Sequence, residues 1–180
     1  ISSLFEVFES MISNYKLRKV FYKIPLKIYA QSLAHMGIAL LIIGATGSSI
    51  LKKEKIQFQS RDEIINIKNF KVKFLGVKTL EGPNYMSQTG IFEIYKNNEF
   101  LKIMKPEKRF YNSGKQITTE AAIHSTIYGD LYIAIGDQSL LTKNESWTSR
   151  IWFNPFTIWI WIGTLFLVMG GGTSLLRSYR

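Results

Sequence analysis

Ala30-Gln31-Ser32-Leu33-Ala34-His35-Met36-Gly37-Ile38-Ala39-Leu40-Leu41-Ile42-Ile43-Gly44 is the stretch on which the fold turns. It lies inside 24 uncharged residues between Lys27 and Lys52. As a helix such a run rises about 36 Å, enough to cross a hydrocarbon core of about 30 Å. A first transmembrane helix is therefore expected over residues 28–50. Gln31, Ser32, Thr46, Ser48 and Ser49 dilute it, and Gly37, Gly44 and Gly47 lower its helix propensity in water. In lipid, glycines at seven-residue spacing suit close helix packing instead. The alternative is a buried helix of a soluble domain. One residue stands apart: the His35 imidazole costs free energy in so apolar a stretch unless something in or beside the bilayer uses it. It is either a membrane metal or haem ligand, or a satisfied packing residue.

A second run, Ile151 to Leu176, carries no charge and has the higher apolar density, so a second transmembrane helix is expected over 151–176. Lys16, Arg18, Lys19, Lys23 and Lys27 precede the first span, while Arg177 and Arg180 follow the second. Both ends then lie on the positive side and the middle is translocated. Lys52, Lys53 and Lys55, just beyond the first span, run against that trend locally. From Ser49 to Ile151 there are sixteen Lys or Arg against eleven Asp or Glu, so half of the net +10 belongs to the ends. Membrane orientation accounts for that half. No basic motif interleaved with aromatics is present, and no nucleic acid partner is expected.

Residues 1–27 alternate aromatic and basic side chains, with Phe5, Phe8 and Ile12 able to share a helix face. They read as an amphipathic membrane-associated segment. The chain begins at Ile1 without a signal-peptide pattern, which fits a processed product, a fragment or one piece of a larger membrane protein. Residues 51–150 read as an external β-rich domain and 177–180 as a basic tail. Strands are expected at Ile56 to Gln59, Glu63 to Ile67, Lys71 to Leu80, Gly90 to Tyr95, Phe100 to Met104, Thr118 to Ser125 and Leu131 to Gly136. Turn signals fall at Glu81-Gly82-Pro83-Asn84, Lys96-Asn97-Asn98-Glu99, Asn112-Ser113-Gly114 and Tyr128-Gly129-Asp130. The fold class is thus a membrane protein: two transmembrane helices flanking an external β-rich domain, with an amino-terminal amphipathic segment.

The chain has no Cys, which rules out thiol nucleophilic catalysis, a Cys-x-x-Cys thiol carrier, cysteine-ligated iron–sulfur clusters and structural disulfides within it. It has neither a phosphate-binding Gly-Lys-Ser/Thr loop nor His-Glu-x-x-His. Glu120 and His124, which one strand would point to the same side, form with Asp130 at most a polar cluster, and no residue is assigned a catalytic role. At the second span, Pro155 suits a first helical turn. Trp152, Trp159 and Trp161 suit an interfacial belt, with contact to a haem ring as the other reading. Gly170, Gly171 and Gly172 permit close helix approach or a kink.

Six short motifs then occur in order: Ala34-His35-Met36-Gly37-Ile38-Ala39, Leu80-Glu81-Gly82-Pro83-Asn84-Tyr85, Glu107-Lys108-Arg109-Phe110-Tyr111, Thr119-Glu120-Ala121-Ala122-Ile123, Asp130-Leu131-Tyr132 and Trp152-Phe153-Asn154-Pro155-Phe156. In this order the chain, from about Pro25 onward, resembles the carboxy-terminal portion of the CcmF/NrfE haem lyase family of cytochrome c maturation. The resemblance implies a polytopic membrane protein with a structural b-type haem held by two membrane histidines, and His35 corresponds to one of them. It would be both the cofactor-binding and the metal-ligating residue of this chain, on a haem b shared with another chain. Its second ring N–H would need an orienting acceptor, for which Gln31, one turn earlier, has the right spacing. The second axial histidine has no counterpart here; His124 falls in the external sheet.

The family's tryptophan-rich haem-handling motif, its external histidines and most of its membrane helices are missing, so the chain is not a complete catalyst alone. The resemblance implies a subunit working with other haem lyase fragments and apocytochrome c. The alternative is a noncatalytic structural subunit among respiratory-complex subunits, with the haem absent if the family function is lost. Glu120, Arg109 and Tyr111 are then structural or docking residues. With 24 Ile and 17 Lys, the composition suggests an AT-biased source. That favours a mitochondrial inner membrane with the β-rich domain in the intermembrane space; the alternative is a bacterial inner membrane with that domain in the periplasm.

Overall fold

The computed structural model describes residues 26–114, 116–139 and 146–178. All but the last two residues of the expected amphipathic segment, and the end of the basic tail, lie outside them. The described chain consists of two helices, α1 (Leu26–Ile50) and α2 (Thr157–Ser178), with ten strands between them in sequence. It divides into two compact units, one of residues 1–42 and 161–180 and one of residues 43–160.

In the first unit the helices pack through small residues. A Cβ added to Gly37 would lie 2.7 Å from the Gly163 carbonyl oxygen and 2.8 Å from the Leu167 nitrogen. One added to Gly170 would lie 2.7 Å from the Ala30 carbonyl oxygen. These neighbours are backbone atoms, which cannot swing aside, so backbone-to-backbone contact itself requires glycine here. Ala30 and Gly37 on one helix, and Gly163 and Gly170 on the other, repeat at the same seven-residue interval. Both helices are long and apolar enough to cross a bilayer, and the chain is a membrane protein with an external β-rich domain.

The second unit holds β1 (Lys53–Gln59), β2 (Ile64–Ile67), β3 (Phe70–Glu81), β4 (Tyr85–Lys96), β5 (Glu99–Met104), β6 (Glu107–Tyr111), β7 (Ile117–Glu120), β8 (Ala122–Thr126), β9 (Gly129–Gln138) and β10 (Trp147–Pro155). Antiparallel pairing gives a four-stranded sheet in the order β1-β10-β9-β8 and a second in the order β2-β3-β4-β6-β7, with β5 also on β4. One half of β4 pairs β6 from Tyr85 to Thr89, and the other pairs β5 from Phe92 to Lys96. This shared strand curls the sheet into a half-barrel. Alternation decides which faces turn inward: Phe70, Val72 and Phe74 are buried while Lys71 is exposed. Phe92 and Ile94 join them against Leu131, Ile133, Ile135, Ile151 and Phe153 of the other sheet.

β1 begins at Lys53 and β4 at Tyr85, each earlier than the sequence reading, and the strands differ from it further in three places. β6 arises in the motif Glu107-Lys108-Arg109-Phe110-Tyr111, whose alternation of charge and ring gives no clear apolar face. The expected strand from Thr118 to Ser125 breaks at Ala121: Glu120 ends the ladder on Glu107, and Ala122 begins one on Ile133 in the other sheet. The apolar run 151–176 also divides. Ile151, Phe153 and Pro155 are buried with Ser149, a period of two that extends β10 between β1 and β9. The helix starts only at Thr157. Pro155 closes the strand instead of opening the helix, and Phe156, at φ 60, makes the turn between them. Its N–H donates to the Tyr128 carbonyl (3.1 Å), and the Trp159 N–H donates back to the Phe156 carbonyl (3.0 Å).

Candidate functional site

His35 lies on an exposed face of α1, near the buried Gly37 and two turns from Gly44. Its Nδ1 is 2.7 Å from the main-chain carbonyl oxygen of Gln31. A carbonyl only accepts, so this bond places the ring hydrogen on Nδ1 and leaves the lone pair of the neutral imidazole on Nε2. The spacing had pointed to Gln31, and the partner is its backbone oxygen, a group that any residue at position 31 except one breaking the helix would supply. An oriented ring with one nitrogen satisfied and the other free on an accessible face fits the chemistry of an axial haem ligand. Among the described residues no group of three or more His, Cys, Asp or Glu gathers to hold a metal.

Three of the sequence motifs meet in the six-stranded sheet. Cross-strand register sets Tyr85 opposite Tyr111, Ser87 opposite Arg109, and Glu107 opposite Glu120. Arg109 Nε donates to Glu107 Oε2 at 2.8 Å, and its guanidinium lies 4.7 Å from the Tyr85 ring centre. Glu120 Oε1 stands 4.0 Å from the same guanidinium, and the Tyr85 and Tyr111 rings are 5.4 Å apart. Glu107, followed by Tyr111, holds the Arg109 proton even more firmly than usual. The arrangement is a ring-covered cation with carboxylates beside it. Its charged and aromatic groups are the kind that dock a partner.

Glu120 thus belongs with Arg109, and the Glu120, His124 and Asp130 grouping does not form on one strand. His124, on β8, meets the Phe70 ring edge-to-face with centroids 6.2 Å apart. Burial, then Lys102 and Lys96, push its pKa below the usual 6.5, while Asp130 opposes them. The unfolded chain therefore takes up this proton first as pH falls. His124's share of stability is intact above about pH 6.5 and is lost as pH falls from there toward the depressed folded value. A His124→Gln variant is expected to show a flatter dependence of Tm on pH between about 7 and 5. An unchanged slope in thermal melts across that range would remove His124 from the acid response.

Two further groupings escaped the sequence reading. Trp152 stacks on Tyr132 with centroids 5.1 Å apart and planes at 6°, and the Arg150 guanidinium sits 5.3 Å from its ring. Arg150 and Lys52 both reach Glu54 and draw its carboxyl below the usual range. The only trace in the sequence is the two-residue step from Arg150 to Trp152, which places both on one strand face. Lys108 pairs with Asp137, joining β6 to β9; 29 residues separate them, and no local pattern reveals the pair.

The model of the CcmF carboxy-terminal β-sandwich matches residues 50–155. Cytochrome c-type biogenesis protein CcmF of Haemophilus influenzae is 31% identical over 191 residues, covering 100% of this chain and 29% of that protein. CcmF of Pseudomonas aeruginosa is 33% identical over 153 residues, covering 84% of this chain and 23% of that protein. The solved structure of a cytochrome c haem lyase CcmF superposes with a TM-score of 0.63 at 18% identity, over 80% of this chain and 24% of the other. That likeness is one of fold. The chain spans less than a third of the length of the relatives it matches.

Proposed function

The chain belongs to the CcmF family of cytochrome c-type biogenesis proteins, and from that premise we propose that it is a subunit of a cytochrome c maturation haem lyase. In this reading it supports covalent attachment of haem to apocytochrome c and supplies, through His35, one axial ligand to a structural b-type haem. The observation that carries the proposal is the His35 ring itself, held by the Gln31 carbonyl at 2.7 Å with Nε2 free.

A haem bound there would supply one-electron redox chemistry within the membrane. The residues of this chain do the rest by position. The Gln31 carbonyl fixes the tautomer and the ring orientation. The glycine-lined contact with α2 holds α1 without using the His35 face. The β domain, which has no Cys of its own to exchange thiols, acts as a docking surface, with Arg109, Tyr85 and Glu120 as its contact group. The second axial ligand and the haem-handling parts lie outside these residues, which span 29% of the length of a family relative. The division in this reading is a first span at 28–50, an external domain from 51 that takes in residues 151–155 with β10, and a second span from Thr157. The Ile- and Lys-rich composition favours the mitochondrial inner membrane with the β domain in the intermembrane space; the alternative is a bacterial inner membrane with that domain in the periplasm, and the named relatives are bacterial.

Affinity purification of the full chain from its native membrane tests the reading. Other haem lyase fragments and a b-type haem spectrum are expected in the eluate. Recovery of oxidase or other respiratory subunits alone, without those fragments, would overturn it.

A further inference from the structure

Three two-residue turns converge at the end of the β domain where the chain meets its two spans. They are Lys68-Asn69 between β2 and β3, Asn97-Asn98 between β4 and β5, and Ile127-Tyr128 between β8 and β9. Lys68 and Asn69 of the first turn, Lys96 just before the second and Tyr128 of the third line a cavity of about 460 Å3, together with Leu51, one residue past α1, and Phe156, one residue before α2. Pockets for small ligands run from roughly 300 to 1,000 Å3. Its walls include Leu51 and Phe156, which adjoin the ends of the two apolar helices, and the ends of membrane spans lie near the lipid headgroups.

The turns are built together. The Asn97 N–H donates to the Asn69 carbonyl (3.3 Å), fastening the turn after β4 to the turn after β2. The Tyr128 carbonyl accepts from the Phe156 N–H, fastening the third turn to the foot of α2. Lys68 is held at φ 52, a left-handed conformation that a Lys rarely adopts. At the tip of the third turn Ile127 and Tyr128 are 70% and 74% exposed, which suits an aromatic and an aliphatic side chain dipping into an interface.

The lining has two chemical halves. Phe70, Phe153 and Phe156 form an aromatic wall, with the Phe70 and Phe153 rings 6.0 Å apart. Lys68 and Lys96 stand at the cavity, the Lys96 Nζ 6.0 Å over the Phe70 ring. No carboxylate lines it, and among the described residues neither lysine has an ion-pair partner. The depressed pKa of His124 behind Phe70, caused in part by Lys96, reports the same positive field. Two cations without counter-charges above an apolar wall, at headgroup depth, match one amphiphile best.

We infer that this cavity binds the headgroup phosphate of an anionic phospholipid, with Lys68 and Lys96 at the phosphate and the three phenylalanines against the glycerol and the first acyl methylenes. A lipid seated there ties the β-domain turns to the bilayer and fixes the domain's height above it. The inference rests on the membrane-flanked β domain and not on haem chemistry, so it stands or falls separately from the lyase reading.

The test uses the full chain reconstituted in phosphatidylcholine vesicles containing trace spin-labelled phosphatidylglycerol or spin-labelled phosphatidylcholine. The wild type is expected to immobilise phosphatidylglycerol preferentially. In the Lys68→Asn, Lys96→Gln double variant that preference falls by about fivefold per lysine, the effect of one cation near a lipid surface. Asn suits the left-handed backbone at position 68, so the turn is retained. The Lys68→Arg, Lys96→Arg pair restores the preference, and Lys71→Gln with Lys78→Gln, which removes two exposed lysines on β3 outside the cavity, leaves it unchanged. The inference is overturned if the first double variant keeps the wild-type preference, or if the β3 pair loses as much. It is likewise overturned if the wild type shows none, as for a site serving a protein partner, or if excess glycerol 3-phosphate displaces the labelled lipid, as for a free-anion site.

Discussion

Replacing His35 with Ala is expected, on the proposed axial role, to remove the b-type haem absorbance from the assembly purified through this chain, while the yield of the chain itself is unchanged. The two outcomes separate because the residue plays no part in holding the helices together. His35 lies on the exposed face of α1, whereas the contact with α2 runs through Ala30, Gly37, Gly163 and Gly170. Alanine is also the best helix former, so the substitution leaves α1 intact. What is lost is the Nε2 lone pair, and an axial position without its ligand cannot be refilled by a methyl group. A paired substitution sharpens the test. Gln31→Ala keeps the haem, because the hydrogen bond to Nδ1 comes from the backbone carbonyl at 2.7 Å and survives loss of the amide side chain. Reduced-minus-oxidised spectra and pyridine haemochrome assays read both variants. Full haem content in His35→Ala would sink the axial role, and equal haem loss in Gln31→Ala would show that the side chain, not the carbonyl, matters.

The second large effect falls on the β domain. Gly129→Val is expected to destabilise it by about 3–5 kcal/mol, a large share of the stability of a domain this size. Gly129 has φ 147, a backbone conformation that L side chains rarely adopt. A Cβ there would overlap the Asn154 carbonyl oxygen and sit 2.6 Å from the Pro155 Cα. Neither neighbour can retreat. Gly129 pairs with Pro155 in the ladder, and the adjacent Tyr128 carbonyl accepts from Phe156 at the foot of α2. The Thr126 hydroxyl also donates to the Gly129 carbonyl at 2.7 Å. Gly114→Ala provides the comparison: its φ is 87 but nothing lies within 4 Å of the added Cβ, so it carries the backbone term alone, about 1–2 kcal/mol. Thermal unfolding followed by near-ultraviolet circular dichroism measures the pair. Equal destabilisation of the two would show that the contact with Asn154 and Pro155 yields.

Much of this architecture was legible in the residues. Long uncharged runs identify membrane-crossing helices because hydropathy and length are properties of a segment by itself. The alternation of Lys71-Val72-Lys73-Phe74 gave away β3 for the same reason, since a half-buried strand writes its two faces into its own sequence. Turns with Asn and Gly were found where backbone conformation demands them, at Asn97-Asn98 and Gly129. The motifs around Arg109 and Glu120 were visible as resemblance, but their meeting was not. Arg109, Tyr85 and Glu120 come from three different strands, and only pairing register sets them opposite one another.

The sequence by itself determined two apolar spans, a β-rich region between them, the absence of thiol chemistry and the singularity of His35. Each follows from composition within a window of one element. Tertiary structure alone decided that residues 151–155 are strand, since β1 and β9 supply the hydrogen bonds that an isolated apolar run would have met as helix. It decided that the chain changes sheets at Ala121, that backbone oxygen rather than amide holds His35, and that Lys68, Lys96 and three phenylalanines surround one cavity. Those outcomes depend on which distant segments share hydrogen bonds and exclude water together, and no local pattern carries that information.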